Sequence, residues 1–305
     1  MNEMHSGLTK IGLGSAQFGF DYGISNLEGK VPGEQVRRIL DTAAGSGVRV
    51  IDTASLYGES ESILGRFLRE GHAFNIVTKT PQYKKTQLTG DDAKLLERTF
   101  QESLVKLRQP SLYSLLVHNA DDLLAENGIL LWESMTDIKS TGMVKNIGVS
   151  VYSARQIDAI LDKFPIDLIQ LPINVLDQRL IMGGHLEKLK RYGVEIHARS
   201  VFLQGLLLMD PAKLHDYFGS VREHLKYYHQ WIGSKGLSPV KSALDFVLSL
   251  GEIDAIIVGV ENAVQLEEII NACMDAPKMT LDDYSFFSWS DERILDPFQW
   301  KVVSI

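Results

Sequence analysis

The chain has 305 residues, 45% hydrophobic and 23% charged, and its 31 basic against 39 acidic side chains leave a net charge of −8. That composition is ordinary for a globular protein, and the acidic excess excludes a general nucleic-acid binder or a protein drawn to anionic membranes. A lone Cys273 excludes a disulfide framework or cysteine-rich metal site, and with neither a signal-like N-terminus nor an 18-residue apolar run a cytoplasmic protein is expected.

Short apolar runs stand at 10–14, 48–52, 75–79, 114–118, 145–149, 167–171, 195–199 and 254–259. They are rich in Val, Ile and Leu, as parallel strands buried on both faces are. Helical patterns lie between them. Val36, Ile39, Leu40 and Ala43 fall at i, i+3, i+4 and i+7, and Ile157, Ile160, Leu161 and Phe164 repeat the spacing. So do Val240, Ala243, Leu244, Val247 and Leu248, and finally Leu266, Ile269, Ile270 and Cys273.

Eight strands, each followed by a helix, is the number that closes an α/β barrel of the (β/α)8 TIM type, here one unit over 1–305. An open dinucleotide-binding sheet would need G-x-G-x-x-G between its first strand and a helix. Gly12 and Gly14 are followed instead by Gln17, and no helical pattern begins before about Pro32. Two stretches break the rhythm. The segment 209–235 carries Tyr217, Tyr227, Tyr228, His229 and Trp231 and is long for a strand-to-helix connection. It is expected to be a lid-like insertion over the C-terminal face, where barrels bind ligands. The tail, about 278–305, holds Phe286, Phe287, Trp289, Phe298 and Trp300 and is expected to pack on the barrel rather than hang free, with pocket lining the lesser reading.

In such a barrel the strand ends are where chemistry gathers. Asp52 ends the second strand and Tyr57 follows in its loop; Lys79 ends the third and His118 the fourth. Each alone has a plain reading: a helix cap, a surface charge, a hydrogen-bonded histidine. Together they suit proton delivery to an oxygen as hydride reaches its carbon. A phenol titrates near 10, a buried ammonium beside it is expected to lower that value, and a carboxylate keeps the ammonium charged. A neutral imidazole can hold the carbonyl oxygen. No activated serine or cysteine competes with this reading.

The run Asp52-Thr53-Ala54-Ser55-Leu56-Tyr57-Gly58, with Val77-Thr78-Lys79-Thr80 and Leu116-Val117-His118-Asn119 after it, resembles the signature of the aldo-keto reductase superfamily. The resemblance covers nearly the whole chain and implies an NAD(P)H-dependent barrel oxidoreductase with Asp52, Tyr57, Lys79 and His118 as catalytic tetrad, Tyr57 being the proton donor. It implies that Ser150 and Gln170 bond the nicotinamide carboxamide. It also implies that a loop at 200–207 with Ser200, Phe202, Gln204 and Gly205 wraps the pyrophosphate, and that the turn with Gly259, Glu261, Gln265 and Glu268 meets a phosphate at a helix start.

Two positions depart from the pattern. Arg199 stands where the family usually stacks an aromatic under the nicotinamide; a guanidinium can stack on a ring, but its charge disfavours the oxidised cofactor. Glu261 and Gln265 stand where NADPH-preferring members often carry Lys or Arg. The family expectation is NADP(H), with NAD(H) the close alternative that these residues favour. The expected substrate is a small carbonyl compound or sugar, and Arg199 hints at an anionic one. The alternative reading is a catalytically idle barrel that senses or binds nicotinamide nucleotide. His215, His224 and His229 share no helical face, so no metal is expected. Neither nucleic acid nor membrane is expected as a partner, and the sequence leaves the oligomeric state open. Cys273 reads as a packed thiol.

Overall fold

In the computed structural model, which describes residues 8–275 and 279–300, eight parallel strands close into a barrel in sequence order, β8 returning to β1. They are β1 Ile11–Gly14, β2 Val50–Asp52, β3 Asn75–Lys79, β4 Leu112–Val117, β5 Val144–Ser150, β6 Leu168–Pro172, β7 Glu195–Arg199 and β8 Ala255–Gly259. This is the (β/α)8 barrel that the alternating pattern predicts. The expected bounds hold to within two residues at either end. The largest of these shifts are at β2, which begins at Val50 because Val48 pairs back to the preceding helix, and at β4, which begins at Leu112.

Side chains two apart on a strand share a face, and this decides where the chemistry goes. Val50, Val77, Leu116, Leu168, Ala255 and Ile257 form one buried cluster inside the barrel. Asp52, Lys79, His118, Gln170 and Gly259 each follow one of these residues by two positions. They therefore also face inward, one step nearer the C-terminal rim. The alternate residues, among them Leu13, Ile51, Ile76, Leu115, Val149, Ile169, Ile196 and Val258, pack outward into the larger core under the helices.

The expected helical faces are the buried ones. Val36, Ile39, Leu40 and Ala43 line the helix Gly33–Gly45, and Leu266, Ile269, Ile270 and Cys273 line Ala263–Met274. Burial pushes the Cys273 thiol up to about 12, which makes it inert. Helix starts are set by side-chain caps: Ser153 before Ala154–Leu161, Ser238 with Pro239 at the first position, Asn262 before Ala263–Met274, and a Thr89–Asp92 capping box. Phe164 lies beyond the end of its helix but is still buried.

Two expectations need correction, and a third is met in both its readings. A helix does begin before Pro32: Ala16–Gly19 follows β1 directly, and at four residues it is too short to leave a periodic trace. The 209–235 segment is not a lid over the mouth. It folds into short turns and the helix Gly219–Ser234, whose Val221, Leu225, Tyr228 and Ile232 are buried against the body, and none of its residues lines the cavity at the rim. Its aromatics are spent on packing, Tyr228 against Phe287 and Trp231 against Tyr284. The tail divides between both expected roles. Phe287 is buried and Trp300 meets Phe218, whereas Phe286 is exposed and Phe298 lines the cavity. Residues 276–278 and 301–305 of the tail lie outside the described residues.

Candidate active site

A cavity of about 740 Å³ opens at the C-terminal rim, and the four residues of the expected tetrad all line it. So do Ser150, Gln170, Arg199, Ser200, Phe202, Gln204, Gly205, Gly259, Glu261, Gln265 and Glu268. The volume lies within the usual range for a small-ligand site, about 300–1,000 Å³.

At its floor Lys79, 1% exposed, donates to both carboxylate oxygens of Asp52 at 2.7 Å and to the Thr53 carbonyl at 2.9 Å. Gln170 Nε2 donates to Asp52 Oδ1 at 2.8 Å. Burial pulls Lys79 below the usual lysine range, while the Asp52 charge and hydrogen bonds oppose it. Three acceptors around Nζ require three N–H donors, which only the ammonium has.

Tyr57 stands above this pair, with Lys79 Nζ 5.0 Å from its ring centroid and the His118 ring 5.8 Å away, edge to face. Its loop is held from below. Ser60 Oγ donates to Ser15, Ser15 Oγ donates to the Asp52 carbonyl at 2.9 Å, and Ser60 N donates to the Tyr57 carbonyl at 2.9 Å. The buried Glu61 accepts from Thr78 at 2.7 Å and Ser103 at 3.1 Å, tying the following helix to β3 and its neighbour. Gly19 permits the approach: a Cβ there would sit 1.7 Å from the Tyr57 carbonyl oxygen.

The expectation that Lys79 depresses the phenol is not met. Tyr57 lies above the usual tyrosine range, first because of burial and then because of the Asp52 charge. The physical reason is that the Lys79 ammonium donates to Asp52 and Thr53 and faces the ring of Tyr57 rather than donating to its hydroxyl. His118 is pushed down to about 3 by burial and by the cations of Lys79, Arg199 and Lys84, so it is neutral. Its backbone N donates to Thr80 Oγ1 at 3.2 Å, and its buried Nδ1 has no partner among the described residues.

The β7–β8 side differs. Arg199 Nη2 donates to the Val151 carbonyl at 3.0 Å, and its Cζ lies 4.0 Å from the Tyr152 ring centroid. The loop after it places Ser200, Leu203 and Gln204 at φ 59, 48 and 52. Left-handed backbone at such residues is costly and clusters at functional sites. Gly205, at φ 94, lies so close to Ser25 that a Cβ would clash with it. Beyond β8, Asn262 caps the helix by accepting from Gln265 N at 3.0 Å. The Gln265 side chain folds back to accept from Glu261 N at 2.8 Å and to donate to Glu261 Oε2 at 3.2 Å.

Sequence reasoning missed several lining residues: Gln17, Phe20, Tyr22 and Tyr152. Tyr152 was within reach, two residues past Ser150; Phe20 and Tyr22 lie in the loop after β1, which carries no motif. The three histidines singled out for metal each meet a backbone partner: His224 the Phe287 carbonyl, His229 the Leu207 carbonyl, and His215 the Tyr217 N–H.

The sequence pattern of the aldo/keto reductase family matches residues 10–289. Aldo-keto reductase AKR2E4 of Bombyx mori is 28% identical over 179 residues, 55% of this chain and 57% of the relative, so the chain spans little more than half that relative's length. L-galactose dehydrogenase of Arabidopsis thaliana is 25% identical over 269 residues, 82% of this chain and 81% of the relative. Among solved structures, the holo form of aldo-keto reductase AKR11C1 from Bacillus halodurans superimposes with a TM-score of 0.73 at 17% identity, covering 97% of this chain and 95% of that one. The fold, the rim cavity and the family pattern over 10–289 agree: this chain belongs to the aldo/keto reductase family.

Proposed function

We propose that the protein reduces a small carbonyl compound, an aldehyde, ketone or sugar-like substrate, with hydride from a nicotinamide cofactor, Tyr57 giving the proton. The observation that carries this reading is the buried Asp52–Lys79 pair beneath Tyr57, with a neutral His118 beside it.

The lining suits the cofactor. Gln170 has its amide nitrogen committed to Asp52, which leaves its oxygen free to accept from a carboxamide, and Ser150 lies beside it on the paired strand. The strained loop with Ser200, Phe202, Gln204 and Gly205 and the turn with Gly259, Glu261, Gln265 and Glu268 both line the same cavity. When bound, the nicotinamide supplies hydride. The chain's own residues do the rest. A neutral imidazole donates to the carbonyl oxygen without protonating it, which orients the carbonyl toward Tyr57. A phenol held protonated is a ready donor, because the alkoxide formed by hydride addition is a stronger base than the phenolate left behind. Lys79 is expected to act late, on the charge that develops at Tyr57, rather than by ionising the phenol beforehand.

For the choice of cofactor the lining supports NAD(H), against the family expectation of NADP(H). Among the described residues that line the cavity, the only Lys and Arg are Lys79 and Arg199, and the turn after β8 offers the carboxylates of Glu261 and Glu268. A carboxylate repels a 2′-phosphate and can bond a free 2′-hydroxyl.

The test is oxidation of NADH and NADPH followed by absorbance with a panel of aldehydes, ketones and keto-sugars, together with fluorescence titration of each nucleotide. Turnover abolished by Tyr57→Phe with cofactor affinity retained supports the reading. Nucleotide binding with no turnover on any member would favour the idle, nucleotide-sensing barrel.

A further inference from the structure

Of the two cations in the cavity lining, one is spoken for and one is not. Lys79 is neutralised by Asp52. Arg199 forms no ion pair with any described carboxylate; its Nη2 and Nη1 reach only the Val151 carbonyl at 3.0 Å and Ser200 Oγ at 3.3 Å. Its Nε is buried and has no hydrogen-bond partner among the described residues. A guanidinium carries five N–H donors in a fixed fork that matches an oxyanion. Here the fold uses two of them, and one is left buried and unsatisfied, a state that costs free energy until a partner arrives.

The guanidinium is also pre-set. Tyr152 stacks on it with 4.0 Å between Cζ and the ring centroid, and Tyr152 is braced in turn by Phe298 at 5.4 Å. An arginine held against a ring loses little further freedom on binding, so more of each new hydrogen bond appears as affinity. It belongs to the reacting end of the cavity: its charge acts on Tyr57, Tyr22, Lys79 and His118. Asp52 is matched by Lys79, which leaves Arg199 the one lining cation without a carboxylate partner among the described residues, and the other lining carboxylates, Glu261 and Glu268, stand on the turn after β8.

We propose that Arg199 receives an oxyanion of the substrate, a carboxylate or phosphate carried on the carbonyl compound that Tyr57 protonates, and so makes this protein selective for anionic carbonyl substrates. The inference rests on the function proposed above, and it names the substrate class of that same site. The same fork would also suit a phosphate of the cofactor, and the experiment separates the two sources.

Rates are measured for anionic carbonyl compounds and neutral partners of similar size at three spacings: glyoxylate against glycolaldehyde, 4-oxobutanoate against butanal, and glucuronate against glucose. Wild type, Arg199→Met and Arg199→Lys are compared, with NADH affinity followed by fluorescence in each. The expected result is a kcat/KM advantage of about 10- to 100-fold for an anionic member, the worth of one or two charge-assisted hydrogen bonds. Arg199→Met removes that advantage, so that its anionic rate falls 10- to 100-fold further than the neutral partner's in the same variant, and Arg199→Lys, which keeps charge without the fork, restores part. The advantage also falls with added salt.

Equal rates on anionic and neutral partners in wild type, or a parallel fall in both in Arg199→Met, overturns the proposal. So does loss of NADH affinity with the anionic preference intact, which assigns the arginine to the cofactor. If NADH binds but no carbonyl in the panel is turned over, that failure belongs to the proposed function, and the site is then read by melting temperature. Succinate, but not succinamide, should stabilise the NADH-loaded wild type and not Arg199→Met. No such difference overturns the proposal independently of activity.

Discussion

The rim over β2–β4 and the rim over β7–β8 face each other across one cavity and are built on opposite terms. On the first, the buried charged groups are bonded: Lys79 meets Asp52, Glu61 accepts from two hydroxyls, and the Tyr57 loop is fixed by short bonds through Ser15 and Ser60, with His118 Nδ1 alone left open toward the cavity among the described residues. On the second, among the described residues, Arg199 lacks a counter-ion, the Glu261 carboxylate is bonded only by a glutamine, and three non-glycine residues hold left-handed backbone. A site that must repeat one proton transfer gains from satisfied, pre-set groups. A site that must accept a ligand keeps unsatisfied groups and strain for the ligand to relieve. On the function proposed above, the first rim does the chemistry and the second the recognition.

Substitutions can break this division. The largest expected effect is that of Tyr57→Phe: a fall in turnover of about 10²- to 10⁴-fold, the usual worth of a general acid, with nucleotide affinity kept. Next is Lys79→Met, which strands the buried Asp52 carboxylate; breaking such a pair costs about 3–5 kcal/mol, read as a lowered melting temperature as well as lost activity. On the recognition rim the changes should be selective. Glu261→Arg should raise the preference for NADPH over NADH by about tenfold, one ion pair's worth of affinity, and leave the rate at saturating cofactor unchanged. A preference unmoved by that change would remove Glu261 from the cofactor's reach.

The smallest expected effect is that of pH. Tyr57 must be protonated to donate and lies above its ordinary range, so its activity is lost only as pH rises beyond about 10. His118 must be neutral and is pushed down to about 3, so its contribution is lost only as pH falls through that value. The rate of reduction should therefore be flat between about pH 5 and 9. An inflection near pH 6–7 that moves in a His118 variant would show that the imidazole titrates freely and that its surroundings are wetter than described.

Much of the first rim was legible in the sequence because strands impose a period of two. Once Val50, Val77 and Leu116 face inward, Asp52, Lys79 and His118 must do so too. The electrostatics were less legible. Residue types announce that a lysine stands near a tyrosine, but not that its three N–H groups are spent elsewhere. The insertion at 209–235 was misread for a related reason. Its aromatics signal burial, and composition alone does not say against what; Val221, Leu225, Tyr228 and Ile232 at helical spacing turn them to the body. Tyr152 and Phe298, far apart in the chain, meet only through the fold, so the brace behind Arg199 left no trace in the sequence.

The measurement that bears most directly on the central claim is a single turnover with NADH carrying deuterium at the transferring position, mixed at pH 7 with wild type or Tyr57→Phe and an aldehyde that wild type reduces. The expected result is an alcohol bearing one deuterium on the former carbonyl carbon in wild type, and bound, unreacted cofactor in Tyr57→Phe. Deuterium transfer at the wild-type rate by Tyr57→Phe would contradict it.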